Sequence, residues 1–478
     1  MTIKMVILGA GPGGYVAAVR AAQLGADVTL IEEESVGGTC LNWGCIPSKI
    51  LIAAAELLEK IRKADTFGIT LEGGVRPNMP RLMERKNRVV ETQRRGILDL
   101  LQHHRVRYLR GTGCLKRGNA VAVRMPGGEE KEVPWERLIL ATGSRPLELP
   151  NLPFDGHRIL SSNHALCLEE IPESLLIIGG GVIGCEFAFL FSSLGSRVTV
   201  VEALSRMLPL PSVDEDCSKV LEREMKKRKI RFIVNRVIEG VDEAEGRLRL
   251  TLGPSPFLEN PEEKDKNHFF ENADKVLVCV GRKPNTTHID GFDTLGVKLD
   301  EKGWMEANLR METGAAGIYA VGDALGPSKI MLAHVASAEG LAAAENAMGG
   351  RRDMDYRTVP GAIFTTPEVA DVGLTETQAR GQGFPVRSDS VLFRALGKAH
   401  IVGDIAGQAK IISEIGSGKV LGVHIIGPHA ADLIAEATLA IRMGITVQDL
   451  AHTIHAHPTL AEIMPETALK AMDRSLHG

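Results

Sequence analysis

Residues 5–32 read MVILGAGPGGYVAAVRAAQLGADVTLIE, and residues 175–202 read LLIIGGGVIGCEFAFLFSSLGSRVTVVE. Gly9, Gly11 and Gly14 of the first stretch recur as Gly179, Gly181 and Gly184 of the second, at an offset of 170 residues. Gly25, Val28, Thr29 and Glu32 recur in the same way as Gly195, Val198, Thr199 and Glu202. In each copy an apolar run enters G-x-G-x-x-G, a helix-compatible stretch ends near a glycine, and a second apolar run stops at an acid. Such a repeat is one supersecondary unit written twice.

The spacing has a physical reason. The first glycine permits a tight turn, the second lets backbone N–H groups approach a pyrophosphate, and the third lets the helix pack closely on the strand. The helix N-terminus adds partial positive charge beside the phosphates. The acid stands 23 residues after the first glycine in both copies, a place from which a carboxylate reaches a ribose hydroxyl. A lone G-x-G-x-x-G is as often a plain glycine turn. Two copies, each with strand, helix and acid in order, predict two βαβ units and two bound dinucleotides.

Outward from the repeat, Leu138 to Ala141 leads into Thr142-Gly143-Ser144-Arg145-Pro146, and Val276 to Val280 leads into Gly281-Arg282-Lys283-Pro284-Asn285. Both read as strands leaving at a glycine, followed by a basic residue and a proline. Pro146 to Pro153 reads as a crossing between domains, and the polar stretch Gly253 to His268 as a surface loop. A chain of 478 residues exceeds the roughly 250 to 300 at which single cores stop growing, so about three domains are expected.

Composition excludes several classes. The formal charge is only −4, and the dense basic run Lys226 to Lys229 continues the amphipathic pattern of Val220, Leu221 and Met225, so a solvated helix face is expected rather than nucleic-acid contact. No apolar run reaches the ~20 residues of a membrane span. The N-terminus passes straight into Met5 to Leu8 without a signal-peptide pattern, and a cytoplasmic location is expected. Seven cysteines are too few and too scattered for a secreted disulfide framework. Cys114, Cys167, Cys185, Cys217 and Cys279 lie singly in mostly apolar surroundings and are expected as buried, inert thiols.

Only Cys40 and Cys45 stand close together, within Gly37-Gly38-Thr39-Cys40-Leu41-Asn42-Trp43-Gly44-Cys45-Ile46-Pro47-Ser48-Lys49. Two thiols five positions apart, with glycines before and between them, can close a small ring at a helix start, where the helix dipole favours thiolate. A zinc site would need two more ligands at suitable spacing, and none is found, so no metal site is expected. The pair reads as a catalytic redox disulfide.

This stretch resembles the active-site signature of the pyridine nucleotide-disulfide oxidoreductases, and Cys-Leu-Asn-x-Gly-Cys-Ile-Pro-Ser-Lys is most similar to the dihydrolipoamide dehydrogenase branch of that family. Ala141-Thr142-Gly143, Gly179 to Glu186, Gly281 to Asn285, Ala320-Val321-Gly322-Asp323 and His455-Ala456-His457-Pro458-Thr459-Leu460-Ala461-Glu462 follow in the family's order, so the likeness spans essentially the whole chain. It implies an α/β architecture with two Rossmann-like dinucleotide-binding domains, for FAD and NAD, and an α+β dimerisation domain. The divisions expected are 1–148 with 277–346 for FAD, 149–276 for NAD and 347–478 for the interface.

The resemblance also carries roles onto matching positions. For FAD these are Gly9, Gly11, Gly14, Glu32, Lys49, Gly113, Thr142, Gly143, Ser144 and Asp323, with Met331, Leu332 and Ala333 starting a helix aimed at the flavin. On the NAD side they are Gly179, Gly181, Gly184, Glu186, Glu202, Val237 and Gly281, with Glu186 also the partner of Lys49. Glu202 would repel the 2′-phosphate of NADP, and the nearest arginine, Arg206, is four positions on, so NAD is expected. The catalytic set implied is Cys40, Cys45, His457 and Glu462, the last in a helix and holding the imidazole; His455 is the neighbouring alternative. A homodimer is implied, in which His457 serves the partner subunit's disulfide. The implied reaction oxidises dihydrolipoamide on lipoyl domains of 2-oxoacid dehydrogenase complexes or a glycine cleavage system, with no nucleic-acid or membrane partner.

Two relatives in the family fit less well. Glutathione reductases carry Cys-Val-Pro-Lys-Lys and NADP-type arginines, and mercuric reductases add a C-terminal cysteine pair, whereas this chain has Cys45-Ile46-Pro47-Ser48-Lys49, Glu202 and no cysteine after Cys279. Trp43 between the thiols and Val335 depart from the usual pattern. A chain serving mainly as an assembly subunit is the alternative from another class.

Overall fold

The computed structural model describes residues 2–244, 246–258, 263–286, 289 and 291–477. Both repeated stretches form βαβ units. Strand Lys4–Leu8, helix Pro12–Gln23 and strand Asp27–Glu32 make the first, with Met5 opposite Val28 in a parallel pair. Strand Ser174–Ile178, helix Val182–Leu194 and strand Arg197–Val201 make the second, with Leu175 opposite Val198. The strands are apolar on both faces because both faces are covered.

Each unit grows into a five-stranded parallel sheet. The first runs, in spatial order, Ile318–Ala320, Arg137–Leu140, Lys4–Leu8, Asp27–Glu32 and Arg107–Arg110. The second runs Arg231–Ile233, Arg197–Val201, Ser174–Ile178, Lys275–Val278 and Ile159–Leu160. The central strand of each leads into its glycine loop, so each loop opens at the carboxyl end of the sheet where strand order reverses, the usual place for a ligand in open α/β sheets. The repeat reaches further than the sequence comparison found. A three-stranded antiparallel sheet is inserted at the equivalent point of each unit, Thr112–Lys116, Ala120–Arg124 and Glu130–Pro134 in the first and Arg236–Ala244, Arg247–Pro254 and Phe269–Ala273 in the second.

The third glycine of each fingerprint is required by contact. A Cβ at Gly14 would lie 1.8 Å from Gly9 O, and one at Gly184 would lie 1.9 Å from Gly179 O; the helix can sit on the strand end only without a side chain there.

One apolar core draws on residues 5–140 and again on 292–354, so the chain returns to the first unit after building the second. The C-terminal part is a five-stranded antiparallel sheet, ordered Gly361–Ile363, Glu368–Gly373, Val420–Gly427, Gln408–Glu414 and Val386–Leu392, with helices Ala430–Met443 and Ile463–Lys470 against it.

Some expectations need correction. Cys185 and Cys217 are buried, but Cys167 is exposed, because its N–H closes the turn after helix Ser162–Ala165 on His164 O and the chain heads outward. Gly253 and Pro254 finish a strand rather than open a loop, since they pair with Val237 and Arg236; positions 259–262 lie outside the described residues. Glu462 ends a short 3-10 turn, Leu460–Glu462, ahead of helix Ile463–Lys470. Gly38–Arg62 is long and apolar enough, by length and composition, to cross a membrane, and half of its most apolar 18-residue stretch is buried within the protein.

Candidate active site

The two repeated acids make the same contacts. Glu32 accepts from Ala10 N–H (2.7 Å) and Glu34 N–H (2.8 Å); Glu202 accepts from Gly180 N–H (2.5 Å) and Leu204 N–H (2.8 Å). Each carboxylate straps a glycine loop to the end of the next strand, and its oxygens retain lone pairs for a further donor. Burial pushes the Glu32 carboxyl above its ordinary value, against those two N–H groups. Val237 lies next to Arg236, whose N–H reaches Glu202 O at 3.1 Å.

The first cradle has the character of a ligand site. Gly37 N–H donates to Ala10 O (2.8 Å), which fastens the loop leading to the thiols onto the fingerprint beside Gly11. Thr142 Oγ1 is buried without a hydrogen-bond partner, and a polar atom in that state calls for one. Gly113 sits against Leu8, where a Cβ would meet Leu8 Cδ1 at 2.5 Å.

The exits of the two units join each other. Ser144–Pro146 pairs antiparallel with Arg282–Pro284, and Gly143, Gly281 and Gly322 flank this junction in the left-handed region. Ser144 Oγ donates to Asp323 Oδ2 (2.6 Å), while Arg282 donates to Ser144 Oγ (2.6 Å) and Ser144 O (2.7 Å). Burial holds the Arg282 guanidinium below its usual range, with Asp323 opposing. Met331 and Leu332 precede helix Ala333–Ala347, of which Leu332 is the N-cap, and Val335 is buried inside it.

Cys40 lies in the short helix Gly38–Asn42, and Cys45 is the first residue of helix Cys45–Arg62. Both are free thiols. The hydrogen bond from Cys40 lowers the Cys45 thiol to about 7, Lys49 assists, and burial and Glu186 oppose. Cys40 keeps the shared proton and, being also partly buried, is pushed far up. The charge therefore resides on Cys45. The loop between the thiols is held by Asn42, which donates to Val36 O (3.1 Å) and Gly38 O (2.9 Å) and accepts from Arg94 (2.6 Å), and by Trp43, which donates to Glu34 (3.1 Å).

One turn into helix Cys45–Arg62, Lys49 Nζ meets both oxygens of Glu186, at 2.9 and 2.8 Å, and lies 4.6 Å over the ring of Phe364. Glu186 also accepts Phe364 N–H at 3.0 Å. Further along, Arg62 donates to Ser193 O (2.7 Å), and Ser193 Oγ donates to Glu59. The helix that begins at Cys45 is thus joined along its length to the helix that begins the second cradle.

His457 Nδ1 and Glu462 Oε1 stand 2.8 Å apart, and Glu462 Oε2 takes Thr459 N–H at 2.9 Å. Burial would raise the Glu462 carboxyl, but the bonds from His457 and Thr459 hold it below its usual value. With Nδ1–H committed to Glu462, Nε2 is the free basic atom. The His457 side chain is 78% exposed. His455 is different: its ring is 9% exposed, with Nε2 on Glu436 and Nδ1 on Thr453 O, both at 2.8 Å. Among the described residues, no hydrogen bond joins either histidine to the thiols of the same chain.

A family model for pyridine nucleotide-disulphide oxidoreductases matches residues 3–340, and one for the family's dimerisation domain matches residues 359–468. The chain belongs to the pyridine nucleotide-disulphide oxidoreductase family. The dihydrolipoyl dehydrogenase of Chlamydia muridarum is 45% identical over 474 residues, covering 99% of this chain and 97% of that one. That of Geobacillus stearothermophilus is 39% identical over 475 residues, with the same coverage. The crystal structure of LpdA from Mycobacterium tuberculosis superposes with a TM-score of 0.89 at 28% identity, over 98% of this chain and 99% of that one.

The sequence reading quoted Arg282 without giving it a role and did not single out Arg94, Glu339 or Tyr356. Arg282 had a signal: it repeats the glycine, basic residue, proline order that Arg145 occupies in the first unit.

The electrostatics predict how the thiols of this family member titrate. Alkylation of the reduced protein by iodoacetamide should quicken as pH rises through about 7, as Cys45 loses its proton. In Lys49→Met the midpoint should move about one pH unit higher, because the neighbouring cation is gone. An unchanged midpoint would contradict the assignment of Lys49.

Proposed function

We propose that the protein oxidises dihydrolipoamide to lipoamide through the Cys40 and Cys45 pair, with bound FAD as carrier and NAD as final acceptor. The observation that carries this reading is a thiol pair at the head of a helix that is locked, through Lys49 and Glu186, to the second dinucleotide cradle.

The residues of the first cradle fit FAD. Gly9, Gly11 and Gly14 with the helix N-terminus would take the pyrophosphate, Glu32 the adenosine ribose, Gly113 the side of the adenine, and Thr142, Gly143, Ser144 and Asp323 the ribityl side. Lys49 and the helix start at Met331, Leu332 and Ala333 would face the ring. When bound, FAD accepts the electron pair from the dithiol and passes it to NAD as hydride. Gly179, Gly181, Gly184, Glu186, Glu202, Val237 and Gly281 would serve NAD.

The protein's own groups perform the thiol chemistry. In the oxidised enzyme, His457 of the partner subunit takes a proton from one substrate thiol, and the resulting thiolate attacks Cys40 Sγ. The Cys40–Cys45 bond breaks, and Cys45 leaves as a thiolate beside Lys49. The second substrate thiol then attacks the substrate sulfur bound to Cys40, closes the lipoamide ring and releases Cys40, which takes a proton. The substrate loses two electrons and two protons, and the cysteine pair gains the electrons. Glu462 keeps Nδ1 occupied, so Nε2 acts as the base.

The exposure of His457 and the matched dimerisation domain support a homodimer in which each active site uses two chains. Lipoyl domains of 2-oxoacid dehydrogenase complexes or of a glycine cleavage system are the partners proposed. A cytoplasmic location is proposed from the few, scattered cysteines of the sequence, which do not form a secreted disulfide framework. The division into 1–148 with 277–346, 149–276 and 347–478 is proposed as the domain plan.

Arg206 supports NAD over NADP. Its guanidinium is spent on Leu208 O, Ser218 Oγ, Leu210 O and Val213 O and is not free for a 2′-phosphate. Steady-state kinetics with dihydrolipoamide should therefore show kcat/KM for NAD higher than for NADP by about a hundredfold or more, the scale of a mismatched polar contact; parity would refute the reading of Glu202. His457→Gln should lower kcat by about a hundredfold or more while FAD stays bound. Full activity in that variant would remove His457 from the mechanism.

A further inference from the structure

We infer that Glu339, backed by Tyr356, is a positioning residue that sets the turn carrying Asp323 and thereby governs how tightly FAD is held; the inference rests on the FAD reading above. Glu339 lies in helix Ala333–Ala347, is 1% exposed, and is buried together with small residues of the same helix such as Ala336, Gly340, Ala342 and Ala343. A carboxyl group in such a place is costly unless its oxygens are matched. Oε2 accepts Gly322 N–H and Oε1 accepts the Tyr356 hydroxyl, both at 2.7 Å.

Gly322 is the residue immediately before Asp323, and its φ of +72° puts it in the left-handed region. The N–H that Glu339 holds belongs to the peptide from which the Asp323 turn departs, and Asp323 in turn receives Ser144 Oγ–H. Tyr356 is itself held from the C-terminal part of the chain, because its neighbour Asp355 bonds Arg442 of helix Ala430–Met443 at 2.6 Å. A continuous line therefore runs from that helix through Tyr356 and Glu339 to the acid assigned to the flavin's ribityl chain.

The charged groups that face Glu339 are few. Burial pushes its carboxyl up to about 7, against the Tyr356 hydroxyl, Gly322 N–H and Lys329, with Asp323 adding to the rise; Lys329 Nζ lies 5.1 Å over the Tyr356 ring. In the neutral acid, the hydroxyl donates to Tyr356 while the carbonyl still takes Gly322 N–H, so the anchor holds in either ionisation state. Glutamine reproduces that neutral arrangement. Alanine removes both contacts.

The test is the FAD dissociation constant of the apo-protein, read from flavin fluorescence, together with the unfolding temperature of the same apo-protein. Glu339→Ala is expected to weaken FAD by about tenfold, Tyr356→Phe by about threefold, and Glu339→Gln by no more than about twofold, the scale of losing or keeping a buried hydrogen bond. Glu339→Ala that melts earlier yet binds FAD like the parent would reduce Glu339 to a packing residue and overturn the inference. So would Glu339→Gln failing as badly as alanine. If alanine prevents folding, Tyr356→Phe decides, and an unchanged constant there overturns it too. A parent protein that takes up no FAD refutes the FAD reading itself, a result distinct from all of these.

Discussion

The contact between Lys49 and Glu186 is the constraint on which the rest of the site depends. The Glu186 side chain is 7% exposed and Lys49 30% exposed, so both charges have been largely withdrawn from water. Removing either partner from such a pair leaves an uncompensated charge and is strongly destabilising. The pair persists because the carboxylate is met on both oxygens by the ammonium and again by Phe364 N–H. It fixes the thiol-bearing helix on the helix of the second cradle, and the same ammonium favours negative charge on Cys45. Packing and redox chemistry thus share one interaction.

Around that contact the molecule uses one device twice. An acid at the end of the second strand returns to the glycine loop and holds it by backbone N–H groups, through Glu32 in one unit and Glu202 in the other. The acid therefore shapes its loop before any ribose is considered. The two exits then pair with each other, so Ser144, Arg282 and Asp323 converge from three distant parts of the chain. The result is a single frame in which the thiols and the two glycine-loop cradles share fixed positions.

Much of this was legible in the sequence, for identifiable reasons. Glycines and terminal acids repeat because backbone geometry demands them at set intervals, so the two βαβ units could be read directly. The spaced thiols at a helix start were equally plain. The backbone contacts of Glu32 and Glu202 were not, since an N–H acceptor leaves no trace in residue identity. Nor could sequence separate His455 from His457 except by resemblance. The structure gives the two rings different surroundings: one imidazole has both nitrogens taken by Glu436 and Thr453, and the other is exposed with Nε2 unpaired among the described residues. Glu339 and Tyr356 escaped notice because their meaning lies in a fold contact with Gly322, and Cys167 escaped its expected burial because a turn carries it outward.

On the function proposed above, residues 40 and 45 form a bridge that opens and closes with turnover. Tryptic peptide mass analysis after alkylation without added reductant tests it, since Arg20 and Lys49 bound one peptide that contains both cysteines. This peptide from the air-oxidised, flavin-loaded protein is expected to lack the two thiol hydrogens and to carry no alkyl group. After anaerobic dihydrolipoamide it should carry two, and NAD should restore the bridged form. Thiols that stay open throughout, or that link instead to Cys114 or Cys167, would contradict it.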